Sequence, residues 1–543
     1  MSWLWRRQLD SYPDTAQRMT YLAITVLATI MLYYELYVGG SVSTLFLAKF
    51  HMSFTFLVYT LAVGNLIGAF GSLFAGLTDR LGRTNLVVAG LIITAVFVAF
   101  IIPAAPNKWA FTIEGWIVAV VEGICLVATP ALIRDFSPQV GRASAMGFWT
   151  SGPVLGSVVV FVVASHTIGG NPSPAFWTHE YHICGIAGLV VAAIALIGLR
   201  ELSPGLRDQL MVTMHDRALI EAKAKGIDIE ASLRNPWGQL LKADVLVSAL
   251  GISVFLLIYY TAVGFGLILF TTVFGFSVHD GDALGNWNWI PNAIAVVTIG
   301  FVSDRFRVRK PFMMIGGIAA AVMMVIYLEQ IGNHPSYYSL AIILAASSVT
   351  LGIAYVPWMA SFTETVEARN PALTATGLAI WGWTIRVIVF VSYMILPSVI
   401  NTVTPLVQYG GEVQALVTKY PAATLPPSLL AGLAQNPTPA RLAEAHQLLG
   451  PNYLQELIAL KNAPASDLAY LQAHGPKVAS AAAHTGAQWK NWFWICFGCM
   501  IFFLLTVPLM RGRWSPKQAR ADEEAHEAMV QAELAKLGTT ATA

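Results

Sequence analysis

The chain has 543 residues, 56% of them apolar and only 11% charged, whereas an ordinary soluble domain carries about 25% charged residues. With a mean hydropathy of +0.62 and a formal net charge of +2, it reads as neither a soluble enzyme nor a nucleic-acid binder. Its apolar residues gather in runs of about 18 or more, long enough to cross a bilayer as helices and unlike the short alternating strands of a membrane barrel.

In chain order, Met1 to Arg18 is polar and basic and lacks a small-residue cleavage site behind a short apolar core, so it is expected to be a tail and not a cleaved leader. Twelve spans follow, at roughly 20–46, 54–76, 85–105, 109–133, 144–165, 182–199, 245–274, 284–302, 312–331, 338–361, 373–399 and 490–510. Helix is the expected form, because it satisfies its own backbone polar groups in lipid. The division is a six-helix bundle over 1–199, a cytoplasmic linker of helical character over 200–244, a second bundle over 245–510 and a cytoplasmic tail over 511–543. Residues 402–488 form an insertion between spans eleven and twelve, expected outside the cell membrane.

Orientation follows from positive charge. With the N-terminus inside, the inner segments hold 24 of the 32 Lys and Arg residues and the outer segments 7, Arg386 lying within a span. The short loops share the bias, so both termini are expected in the cytoplasm of a multi-pass inner-membrane protein.

The two bundles repeat each other. Tyr33-Tyr34 recurs as Tyr259-Tyr260, Pro130 as Pro357, and Ser144-Ala-Met-Gly147 as Thr374-Ala-Thr-Gly377, at offsets of 226, 227 and 230 residues. A basic loop behind an apolar run is also doubled: Ala75-Gly-Leu-Thr-Asp79-Arg80-Leu-Gly82-Arg83 returns as Gly300-Phe-Val-Ser-Asp304-Arg305-Phe-Arg307. In the insertion, Pro and Ser cluster, Thr438-Pro439 and Ser466 look like helix starts, and leucines such as Leu448, Leu449 and Leu454 suit short amphipathic helices. It reads as a cap over the outer mouth or as a capture surface for a partner or substrate. Cys496-x-x-Cys499 places two small thiols on one helix face, with no second ligand pair for a metal.

The doubled loop and twelve spans resemble the major facilitator superfamily, whose loop pattern G-x-L-x-D-R-x-G-R-[RK] is met here at Leu77, Asp79, Arg80, Gly82 and Arg83. The chain departs from it at Ala75 and Thr84, and at Arg307 in the second copy. The resemblance covers both bundles but not the insertion. It implies an all-α membrane protein of two pseudo-symmetric six-helix bundles, a secondary transporter working by alternating access. It also makes Asp79, Arg80 and Arg83, with Asp304 and Arg305, a cytoplasmic gate that closes and releases the inner mouth. Gly152-Pro153-Val-Leu-Gly156-Ser157 in span five approaches a motif of drug–proton antiporters, with Ser in place of the last Gly; Gly-Pro also bends and packs membrane helices without such a role.

Charges at mid-depth in a bilayer cost at least about 2.5–3.5 kcal/mol each and are kept for function or pairing. Three stand out: Glu35 in span one, Glu122 in span four and Arg386 in span eleven, with Glu114 a weaker fourth. Glu35 follows the repeated tyrosines, yet its counterpart is Thr261, an asymmetry that suits proton carriage better than packing. The resemblance implies a central cavity lined by spans one, four, seven and ten, with acids of spans one and four coupling protons. Arg386 fits an anionic substrate group, or equally the permanent partner of Glu35 or Glu122. Tyr34, Asn65, Asn288, Asn292, Tyr355, Trp358 and Trp383 are candidates to contact an organic solute. Phosphate-binding Walker and hydrolase motifs are missing, so no cofactor is expected and a proton gradient is the expected energy source. The expectation is proton-coupled symport of a small organic metabolite, anionic ones included, by a monomer whose partners are that solute, H⁺ and lipid, with no nucleic acid. Proton-driven multidrug efflux is the alternative, and a non-transporting receptor or sensor the remote one.

Overall fold

Every backbone polar group in lipid needs a partner within the protein, and helices supply it. The computed structural model describes residues 7–71, 82–136, 142–170, 172–203, 240–306, 308–333, 335–369, 374–510 and 512–518, with a few positions between 520 and 528, and holds helix at each of the twelve expected places. Most of the linker and of the tail lies outside the described residues, as do Asp79 and Arg80.

In the first half the spans are Thr15–Ser41, Phe54–Gly71, Arg83–Val96, Lys108–Phe136, Arg142–Thr167 and Trp177–Gly198. In the second, span seven is Ala243–Phe255 and Leu257–Thr272 with a break at Leu256, followed by Val278–Phe306, Lys310–Gln330, Tyr337–Arg369 and Thr374–Val399; span twelve lies within Ala465–Thr506. Among the described residues nine helical stretches are long and apolar enough to cross a membrane, and Ser43–Lys49 with Phe54–Phe70, bent by 117°, makes a tenth. The other two are span five, apolar over Ser151–Thr167, and span eight, whose first two turns carry Asp280 and Asp282.

Local chemistry explains several boundaries. Asp14 caps span one by accepting the Gln17 N–H at 2.8 Å. Span three does not run straight to its end: it passes into a π turn, Phe97–Ile101, and a short 3-10 turn begun by Ile102-Pro103. His182 of span six donates to the Ala99 carbonyl inside that π turn at 2.5 Å, which gives the widened turn an outside partner. Gly82 has φ +89, a conformation that favours glycine, and the Glu201 carboxylate packs into the space a Cβ would take. Glu201 also accepts the Arg83 N–H at 2.8 Å and sits in a two-residue parallel pairing, Gln8–Leu9 with Glu201–Leu202.

The halves show matching ion pairs. Arg83, at the start of span three, holds Asp135 near the end of span four with both oxygens at 2.9 Å. Arg309, just before span nine, reaches Glu364 near the end of span ten at 3.1 Å and Asp304 at 2.7 Å.

The insertion is helical. Val403–Lys419 lies against the first turns of Ala465–Thr506, joined by the Tyr409–His474 stack at 4.0 Å and the Lys419–Asp467 pair at 3.2 Å. Three short helices, Pro427–Gln435, Pro439–Leu449 and Tyr453–Lys461, cover a small core of Leu425, Leu429 and Ala445, and Thr438 caps the second of them. Span twelve is the continuation of the insertion's last helix, so it begins some 25 residues earlier than its apolar run (Ala465 against 490).

Spans two and four pack backbone to backbone: a Cβ on Gly123 would lie 2.4 Å from the Gly68 carbonyl oxygen, whereas one on Gly115 would meet nothing within 4 Å. Gly123→Leu is therefore expected to destabilise the protein by about 1–3 kcal/mol through overpacking. A thermal unfolding curve in detergent reads this as a clear drop in Tm, with Gly115→Leu, on the same helix, unchanged.

Candidate functional site

A cavity of ≈ 190 Å³ lies between the halves. Span one supplies Tyr33 and Tyr37, one helical turn apart, and span five supplies Pro153, Val154 and Phe161. All other lining residues come from the second half, notably Tyr259 and Tyr260, then Asn288, Trp289 and Asn292, then Ser347, Ser348 and Tyr355, and finally Trp381 and Phe493. No charged side chain is among the described lining residues. The wall is ordered by ring contacts, Tyr259 edge-on to Trp289 at 5.2 Å and Trp289 stacked with Phe161 at 6.3 Å. Asn292 donates to the Ser348 carbonyl at 2.7 Å, which joins spans eight and ten in the cavity wall. Tyr37 and Tyr259 bring their hydroxyls together across the halves, yet Tyr259 Oη makes no well-aligned hydrogen bond, and neither does the buried Trp381 Nε1. Buried donors without partners are rare, and the Trp381 Nε1 on this cavity wall suits a polar group of a solute.

The residues singled out from sequence fall in several places. Asn288, Asn292 and Tyr355 line the cavity. Trp358 is buried behind Tyr355 and donates to Ser248 Oγ at 3.0 Å. Trp383 meets Phe70 edge-on at 5.8 Å where spans eleven and two pack. Asn65 donates to Leu61 of its own helix at 3.0 Å. Tyr34 is buried with its hydroxyl unpartnered, on the side of Cys184 and Glu180.

Glu35 is buried at 4% exposure, but two residues along a helix is a rotation of about 200°, so it faces away from the Tyr33–Tyr37 wall. Its carboxylate points at spans three and six: a Cβ on Gly188 would overlap Glu35 Oε1 and come within 2.9 Å of Ala95. Glu122 is its electrostatic neighbour, and the thiols of Cys125 and Cys184 complete the surroundings. None of the four carboxylate oxygens has a hydrogen-bond partner. The first half thus holds two buried acids in its own interior, behind the tyrosine wall. Arg386 is half-buried and interacts electrostatically with Tyr33 and Tyr260; it sits at the cavity margin next to the lining residue Ile385. Of the loop residues, Arg83 and Asp304 make the ion pairs described above, each within its own half, and Arg305 is exposed.

Tyr33, Tyr259 and Tyr260, marked in the sequence only as a repeat, and Tyr37 and Trp289, not marked at all, prove to line the cavity. The signal was present in the i, i+4 spacing of Tyr33 and Tyr37 beside the repeated Tyr-Tyr pair.

On the face that carries the insertion the halves are joined. The Phe54 N–H donates to Thr404 Oγ1 and Gln408 Nε2 to the Met52 carbonyl, both at 2.9 Å. His279 donates to the Ile168 carbonyl at 2.9 Å and Asn286 to Ser165 Oγ at 2.8 Å. Phe54 also packs on Phe265 and Trp489. The insertion's first helix therefore straps the second half onto the turn between spans one and two of the first.

The description of the Major Facilitator Superfamily matches residues 19–392. Among solved structures, a bacterial homologue of the human lysosomal transporter Spinster, inward-facing and unoccupied, is similar at a TM-score of 0.55 and 16% identity, over 93% of this chain and 100% of the other. The xylose transporter XylE from E. coli, partially occluded and inward open, gives 0.53 and 17% over 70% and 92%. A D-xylose–proton symporter gives 0.51 and 15% over 69% and 90%. A comparison with curated proteins found no match to the sequence.

The strap makes a test. Gln408→Leu removes one hydrogen bond, about 0.5–1.5 kcal/mol, so amide exchange over Val403–Lys419 is expected to quicken by about threefold to tenfold. Mass spectrometry of the exchanging full-length protein reads it.

Proposed function

Because the chain belongs to the major facilitator superfamily, and so is a multi-pass membrane transporter and not an enzyme, we propose that it is a secondary active transporter of the cell membrane carrying a small organic solute in symport with protons. The observation that carries the reading is the adjacency of two unlike compartments on either side of Tyr33: a tyrosine- and asparagine-lined cavity between the halves, and the unpaired Glu35–Glu122 acids behind it.

The cavity is the solute site. Tyrosine and tryptophan rings stack on an organic body, while Asn288, Asn292 and the Tyr37–Tyr259 hydroxyls hydrogen-bond to its polar groups. Arg386, an electrostatic neighbour of Tyr33 and Tyr260, is the cation that an anionic group of the solute would meet at this wall. Glu35 and Glu122 are the proton site. Buried without a cation or a donor, a carboxyl group there is stable with its proton on; rocking of the halves that admits water lets it ionise. With the insertion face sealed, the opposite face is the one that opens from this state, and alternating access follows if the strap and seam release when it closes. In this reading both termini face the cytoplasm, the insertion faces outward, and the working unit is a monomer.

A second reading, proton-driven efflux of drug-like compounds, is favoured by one observation: the described lining is aromatic and uncharged, with Pro153 of the Gly-Pro pair in its wall.

Uptake into proteoliposomes over a panel of organic compounds, with and without an acid-outside gradient, tests the proposal. Symport predicts gradient-accelerated uptake, and efflux predicts acceleration by the reversed gradient. Glu35→Gln is expected to lose acceleration while keeping solute counterflow; intact gradient-driven flux in that variant refutes coupling through Glu35. Ser347→Trp fills the cavity and is expected to lower flux by about tenfold or more, equivalent to about 1.4 kcal/mol, with no change in Tm.

A further inference from the structure

We infer that Asp282 and Glu180 form a proton-binding carboxyl pair across the two halves, which takes up one proton from the insertion side when that face closes. Acidity on that side then holds the protein shut.

The pair lies inside the seam. On span eight, His279, Asp282 and Asn286 share one helix face by i, i+3 and i+7 spacing. The flanking members dock on span five, His279 at Ile168 and Asn286 at Ser165, and Gly285 lets the Phe161 ring lie against the backbone between them. Asp282 is therefore enclosed; it is fully buried and neither of its oxygens has a hydrogen-bond partner. Glu180, in the first turn of span six, is buried too and accepts the Thr167 hydroxyl, one residue from the Ile168 that holds His279. Glu180 is the electrostatic neighbour of Asp282, and no Lys or Arg joins them among the described residues.

Among the described residues the surroundings offer no Lys or Arg to neutralise the pair, and His179 is the one cation-forming side chain beside Glu180. Span seven brings apolar Leu267 and Phe270 against Gly281. Span ten brings Tyr337 toward Asp280, which is tied to Ser277. On span five, His166 bonds Val162 of its own helix. Span six adds His179 beside Glu180 and the Cys184 thiol, and span one adds the Tyr34 hydroxyl.

Two ionised carboxylates cannot share a dry apolar seam; one proton between them removes the repulsion. Glu180 has the helix N-terminus and the Thr167 hydroxyl to favour its charge, so the proton belongs on Asp282. Opening parts span eight from spans five and six, admits water and releases that proton outward. The closed state binds one proton more than the open state, so closure strengthens as pH falls and weakens as it rises. This goes beyond the symport reading: it needs neither solute nor Glu35.

The test reads conformation alone. Spin labels at Ser173→Cys and Asn333→Cys, both exposed and on loops of opposite halves at the insertion face, report the opening in full-length protein reconstituted in liposomes without solute. As external pH rises from about 5 to about 8, the long-distance population is expected to grow. Asp282→Asn is expected to abolish that growth and stay at short distances throughout, Glu180→Gln to blunt it, and Glu35→Gln to keep it. The two pair variants are read in parallel, so that if one fails to fold the other decides. A wild-type distribution that ignores pH, or a response that survives in Asp282→Asn and Glu180→Gln, overturns the inference and assigns any remaining response to the histidines. Either failure leaves coupling through Glu35 standing, since no flux is measured.

Discussion

A carboxylate inside a membrane protein must have a cation, a set of donors or a proton, because hydration is not on offer there. That constraint sorts the acids of this chain. Asp135, Asp304 and Glu364 sit at helix ends beside arginines, and each is paired. Glu35, Glu122 and Asp282 sit in the packed interior, and none of their oxygens has a partner. The first group fixes helix ends within a half, where geometry stays constant. The second group has, among the described residues, neither cation nor hydrogen-bond donor on its carboxylate oxygens.

The two halves repeat in order but not in use. The matching Arg83–Asp135 and Arg309–Glu364 pairs show how closely the scaffold is duplicated. The cavity, by contrast, draws on the first half only through spans one and five and on the second half through all of its other walls. The interior acids at mid-depth are both in the first half. At the paired positions Glu35 and Thr261 the divergence is plain: Thr261 satisfies itself, donating to Leu257 and accepting from Trp492, and lines the cavity, while Glu35 turns inward and stays unsatisfied. One bundle supplies most of the cavity wall and the other holds the unpartnered interior acids Glu35 and Glu122.

Much of this was legible in the chain. Helix among the described residues lies at each place where apolar run length put a span, and the Thr438-Pro439 pair marked a helix start that Thr438 indeed caps. Helix ends were less legible, because apolarity reports the lipid-facing stretch and not where hydrogen bonding stops: span eight begins at Val278, which brings Asp282 into the helix, although its apolar run starts later. The direction of a side chain was the harder part. Tyr33 and Tyr37 share a face that excludes both Tyr34 and Glu35, a fact implicit in 3.6-residue periodicity but hidden when every position around a membrane helix is apolar or aromatic. Asn65 and Trp358 show the same limit, since an amide or indole in a span serves its own helix or a neighbour as readily as a solute.

The helix Ala465–Thr506 carries a mechanical consequence. From Lys477 onward no proline interrupts it, and thirty residues of α-helix make a rod of about 45 Å. Its far portion places Phe493 and Met500 in the cavity wall, while its near portion is bolted to the chain entering the insertion by Gln488, which accepts from Asn401 and Thr402. Such a rod transmits torque. Whatever grips or releases the inserted helices turns the same lever whose other arm shapes the chamber, so an antibody fragment clamped on them would act as a brake on turnover without ever entering the cavity.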